Sequence, residues 1–159
     1  MQPAAIAIVV ESPDYPALDP RTTRSVDPLG GMLGMRLSLL AGCTPTELLM
    51  AFDAMAIFPA WPGKKWPWAE AAKRAEPVRS RQSATVLLGR RVACAVLGDA
   101  KGHGAHWYEP IGTFVVAPSP CGKVGLWREE RELARARAFW STLYLEARRV
   151  RQFAGAISA

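Results

Sequence analysis

The chain has 159 residues, half of them apolar, and a net charge of +6. That length suits one domain with a continuous core, and the apolar content excludes a disordered chain. The longest apolar runs, such as 4–10, are far too short to span a bilayer. The N-terminus carries no basic region, long apolar stretch or small-residue cleavage site, so a cytoplasmic chain is expected, and we expect it to be a monomer. Cys43, Cys94 and Cys121 include no Cys-x-x-Cys pair, which predicts three reduced thiols, no metal or metal cluster, and no cofactor. The basic balance favours an anionic partner. Much of it, however, lies over 128–151 among Glu129, Glu130, Glu132 and Glu146, as on a solvated helical face.

In chain order, 6–10 is an apolar, β-branched run without helical spacing, which predicts a strand buried on both faces. It stops at Glu11-Ser12-Pro13-Asp14. The stretch to Gly31 holds four prolines and no periodicity, a long loop of the kind that usually carries function. Met32, Met35 or Arg36, Leu39 and Leu40 fall at helical spacing, and Gly42 stands where a left-handed cap belongs. Thr44-Pro45-Thr46-Glu47 combines a threonine N-cap, proline at the first helical position and glutamate at the third, a full capping box. A second strand is expected over 55–58, then a loop over 59–67, then a helix over 68–75 that Pro77 ends. Thr85-Val86-Leu87-Leu88 predicts a third strand, Gly89 a turn, and 90–97 a helix closed by Gly98. A fourth strand over 113–116 runs into Ala117-Pro118-Ser119-Pro120. In the last helix Leu133, Ala136, Trp140, Leu143, Ala147 and Val150 form one stripe.

Strands alternating with helices predict an α/β fold, a three-layer α/β/α sandwich around a four-stranded parallel sheet, as one domain over 1–159. Ligands of such sheets lie beyond the carboxyl ends of the strands, here the loops 11–30, 58–66, Gly89-Arg90 and 117–127. No Walker loop and no Gly-x-Gly-x-x-Gly is present, so nucleotide hydrolysis and dinucleotide binding lose their usual support. Gly89-Arg90-Arg91 at a helix start has two readings: a phosphate seat, or a turn with two solvated arginines. Trp61, Trp66 and Trp68 beside Lys64 and Lys65 suit unstacked bases, and equally suit the covering of a sheet edge.

Several of these segments have counterparts in one family. The first strand with Glu11-Ser12-Pro13-Asp14 is similar to a motif reading Gly-Glu-Ala-Pro-Gly. Gly34-Met35-Arg36-Leu37 with Leu40 and Gly42 matches the helix that follows it. Phe58-Pro59, Trp61-Pro62-Gly63 and Trp66-Pro67 match the segment after the second strand, and Leu88-Gly89-Arg90-Arg91-Val92-Ala93 matches a Leu-Gly-Arg-x-Val-Ala stretch. Ala117-Pro118-Ser119-Pro120-Cys121-Gly122 is similar to a second motif, His-Pro-Ser-Pro or His-Pro-Ser-Gly. As an ordered set covering most of the chain, they resemble the uracil-DNA glycosylase superfamily.

The resemblance implies a base-flipping N-glycosylase with DNA as its partner. Glu11, or Asp14 if the motif is aligned on a Gly-Gln-Asp-Pro-Tyr-His variant, would set a water against the sugar C1′. Ser12, Pro13, Ala56, Phe58 and Ala117 would line the base pocket. Arg90, Pro118, Ser119, Cys121, Gly122 and Lys123 would meet the DNA, with Cys121, Leu126 or Trp127 as the wedge. Ala117 stands where the family has a histidine that serves the leaving base, and Ala56 where it commonly has an asparagine that reads the base edge. Two readings follow: a pocket enlarged for a bulkier pyrimidine of the kind found in phage DNA, or a module that has lost its chemistry and still binds DNA or a protein. His103 and His106, before the fourth strand, are either replacement donors or ordinary loop histidines.

Overall fold

The computed structural model describes residues 5–13, 27–122 and 125–158. Strand β1 (Ala7–Val10) is fully buried, as its unbroken apolar run requires. Helix α1 (Gly31–Ala41) follows and ends on Gly42 in the left-handed conformation, whose N–H donates to the Ser38 carbonyl. Helix α2 (Pro45–Ala51) carries the complete capping box: the Thr44 hydroxyl accepts from the Glu47 N–H, and the Glu47 carboxylate accepts from the Thr44 N–H.

Strand β2 (Asp53–Ala56) begins two residues before the expected second strand. Beyond it, the Ile57 and Phe58 amides still donate to the Val10 and Glu11 carbonyls, so the apolar run continues the ladder as a bent extension. Pro77 does not end a helix. Helix α3 (Trp68–Arg74) gives way at Ala75 to a short α4 (Glu76–Arg79), in which Pro77 lies in the first turn, where its missing N–H costs nothing. Strand β3 (Thr85–Leu88) and helix α5 (Arg90–Leu97) lie where the sequence places them. A short helix, α6 (Asp99–Gly104), comes next, in a stretch rich enough in glycine to read as loop. Strand β5 (Phe114–Ala117) follows a two-residue β4 (Pro110–Ile111). A 3-10 turn (Gly125–Trp127) leads to helix α7 (Glu130–Ser158).

The sheet order is β2-β1-β3-β5-β4. The first four are parallel, in the registers Ala7↔Asp53, Ala7↔Thr85 and Thr85↔Phe114, as expected. The four-strand expectation is corrected by β4, which pairs antiparallel at the edge, Ile111 opposite Phe114. Its pairing depends on a reversal at Gly112 rather than on apolar content, and a two-residue strand leaves no periodic signal.

Side chains alternate across this sheet into two cores. Ile6, Ile8, Val10, Val86, Leu88 and Ala117 pack against α1, α2 and α7, with Trp140 of α7 wholly buried. Val9, Leu87 and Val116 pack against α3, α4 and α5. The three-layer sandwich follows. Among the described residues, no helix is long and apolar enough to cross a membrane.

Candidate active site

The chain leaves β1 for the α1 layer and leaves β3 for the α5 layer, and these two strands are neighbours. Connections that depart to opposite faces open a crevice at the carboxyl ends of the strands, the usual ligand position in such sheets. Glu11, Ser12 and Pro13 lead away from β1 there, and Gly89, Arg90 and Arg91 from β3.

Glu11 is held by the sheet itself, because its carbonyl accepts from the Phe58 amide at 2.9 Å. Its side chain is only 14% exposed, and its Oε2 stands 3.8 Å from Arg91 Nη1. That oxygen and the Ser12 hydroxyl, on a residue with no exposure, are both buried without a hydrogen-bond partner among the described residues. Burial pushes the Glu11 carboxyl above the ordinary carboxylate range, and the Arg91 guanidinium opposes that rise. Buried polar atoms are usually partnered, so these two, adjacent in sequence at the switch point, make this end of the sheet the candidate site.

Arg91 is supported from below. Its guanidinium lies 5.6 Å from the Trp66 ring centre, and the Phe58 ring meets Trp66 edge-on at 5.1 Å. Both rings are buried in the α5-side core. Trp66 is therefore a brace for Arg91, whereas Trp61 and Trp68 are exposed along with Lys64 and Lys65. Gly89 makes the turn at φ 91°, which a side chain would strain, and its amide donates to the Ala117 carbonyl at 2.8 Å. The third strand and the second motif are joined at this point.

The second motif is a closed turn. The Ser119 hydroxyl accepts from the Cys121 amide at 3.3 Å, and the Ser119 carbonyl from the Gly122 amide at 3.0 Å. The Pro120 carbonyl accepts from Arg36 Nη1 at 3.0 Å and from Trp127 Nε1 at 2.8 Å. Arg36 also opposes the rise that burial imposes on the Cys121 thiol. Trp127 thus ties down the turn instead of standing free as a wedge. Pro118 is buried and borders a cavity of about 290 Å³ whose lining includes Glu129, Glu132 and Arg135.

Several expected residues stand elsewhere than the resemblance implies. Arg90, expected to meet DNA, donates to the Gly102 and Ala105 carbonyls and lies 4.1 Å from the Trp107 ring centre. The next residue, Arg91, faces Glu11. Ala117 has no exposure and Ala56 is half-buried; both pack on the α1 and α7 side, opposite to Arg91 and Trp66. Their methyl groups face the α1 and α7 core, away from the side that holds Trp66. His103 lies beside Cys94 and Asp99, and His106 is exposed. Asp14 and Lys123 lie outside the described residues.

Arg91, Trp66 and Arg36 carry parts of the site that sequence reasoning assigned elsewhere or not at all. Only the doubled arginine after Gly89 hinted at the first. Comparison of the chain with protein-family models, with curated proteins and with solved structures finds no match in any of the three.

Proposed function

We propose that this protein is a DNA N-glycosylase that extrudes a non-standard pyrimidine and hydrolyses its glycosidic bond. The observation that carries the reading is the nearly buried Glu11 side chain at the switch point, whose Oε2 is faced by Arg91 at 3.8 Å and has no hydrogen-bond partner among the described residues. A carboxylate so placed can hold a water against C1′ while positive charge develops on the sugar. As the C1′–N bond breaks, its electron pair leaves with the base; the water oxygen bonds to C1′ and its proton passes to Glu11. Arg91 opposes the rise that burial imposes on the Glu11 carboxyl and so favours the ionised form that this step uses. It also supplies a cationic donor for the departing base anion, the task for which Ala117 has no suitable atom.

A second reading, a DNA-binding module without chemistry, is favoured by one specific feature. The Cys121 and Gly122 amides are spent within their own turn, so the second motif offers fewer donors than a leaving base requires.

The two readings separate in one experiment. Duplexes carrying uracil or larger modified pyrimidines are incubated with protein in excess over DNA and then treated with alkali. Strand breakage at one or more of the modified bases is expected. No breakage with any of them, together with steeply salt-dependent binding, overturns the glycosylase reading in favour of the module.

A further inference from the structure

At the junction of α5 and α6, the Cys94 sulfur, an Asp99 carboxylate oxygen and a His103 ring nitrogen all lie within 4.8 Å of one another. Backbone packing sets this proximity. Asp99 and His103 are four residues apart on α6 and share one of its faces. Gly102 presses α6 onto the turn of α5 that carries Cys94, since a Cβ there would stand 2.5 Å from Cys94 Cα and 2.6 Å from its N. The Trp68 ring stands 6.3 Å from that of His103.

We propose that Cys94, Asp99 and His103 form a zinc-binding site that fastens α6 to α5. Thiolate, imidazole and carboxylate are the donors zinc takes, and three protein ligands leave its fourth position to water. Ligand atoms around tetrahedral zinc stand about 3.5 Å apart. The exposed side chains of Asp99 and His103 turn on free bonds to make up the difference, while the buried Cys94 provides a fixed floor. When the zinc–sulfur bond forms, the thiol proton leaves to solvent, and the metal keeps its oxidation state.

The neighbouring cation, Arg90, is committed to the Gly102 and Ala105 carbonyls. Zinc on α6 would therefore also steady the carbonyls that hold Arg90, next in sequence to Arg91. A helix of six residues, two of them glycine, is too short to be stable alone, so it stands to gain from such a fastener. The proposal does not depend on the glycosylase reading.

The test uses the full chain, stripped with chelator and titrated with cobalt(II) as a coloured probe and then with zinc. One equivalent of cobalt should bind with thiolate charge-transfer absorption that Cys94→Ala abolishes. The exposed variants Asp99→Asn and His103→Gln should each weaken binding by at least about tenfold, the lower end of the loss from removing even an outer partner. At the same zinc concentration, the thermal midpoint of the unaltered protein should rise by more than that of His103→Gln. If cobalt shows no saturable one-to-one binding, or binds both exposed variants as it binds the parent, the site does not exist. Those two variants decide the matter even if Cys94→Ala fails to fold.

Discussion

Replacing Glu11 by glutamine should make the fold more stable at neutral pH, an unusual outcome for a nearly buried position. A buried polar acceptor left without a donor costs about 1–3 kcal/mol, and a charged one more. Against this stands Arg91: at 3.8 Å, two unit charges attract by about 4 kcal/mol at an effective dielectric constant of about 20. The Arg91 side chain is 40% exposed, however, and solvent and salt reduce a pair of this kind to about 1 kcal/mol or less. Burial wins, which is why the carboxyl sits above its ordinary range. A neutral side chain of the same shape should recover about 1 kcal/mol, or about 2–4 °C in thermal midpoint for a chain of this size.

The pH dependence has a definite sign. A carboxyl raised in the folded state keeps its proton to higher pH than in the unfolded chain. The contribution of Glu11 to stability is therefore greatest below the unfolded carboxyl's range and is lost as pH rises through the interval up to the folded value. Glutamine has no proton to lose there. Urea unfolding of both proteins from acid to neutral pH should show the variant's advantage absent at the acid end and growing as pH rises. A variant less stable at neutral pH, or a difference that does not change with pH, would refute the reasoning.

Other substitutions probe the remaining supports. Arg90→Ala removes the bonds to the Gly102 and Ala105 carbonyls and the contact with Trp107. It should cost about 1–3 kcal/mol in urea unfolding while leaving the salt dependence of DNA binding unchanged. A slope lowered by about one unit at unaltered stability would instead return Arg90 to a phosphate. Ala117→His forces an imidazole into a fully buried position and should destabilise by about 1–3 kcal/mol; a neutral effect would mean that the space exists after all. Thr44→Ala breaks the capping box and should cost about 1 kcal/mol by thermal unfolding, and no loss would mean that the cap contributes nothing to α2.

What was legible in the sequence was local. The capping box at Thr44, the buried run of β3 and the Gly89 and Gly98 boundaries of α5 are written in adjacent residues, and their physics does not wait for the rest of the chain. The start of β2 was not, because Asp53 joins the strand through its pairing with Ala7 and its contacts with Arg151 and Arg81, all remote in sequence. Strand β4 has no signal apart from its partner. In the site, Glu11 stood out, beside Asp14, through the motif that the end of the first strand resembles. Which of two consecutive arginines turns toward it could not be read, since each step along a helix rotates the side chain by about 100° and the starting angle belongs to the packed α5. The same holds for Ala56 and Ala117. Their alignment with a base pocket was a matter of order along the chain, whereas the face they occupy is set by the parity of a pleated strand.

Whether Glu11 performs the proposed chemistry is decided by single-turnover base release from a DNA panel by the parent and by Glu11→Gln side by side. With protein in excess over DNA, the parent should release a non-standard pyrimidine from at least one duplex. The variant, folded and at least as stable, should do so slower by about a hundredfold or more, the scale on which a positioned base contributes. Equal rates in the two proteins would exclude Glu11 from the chemistry.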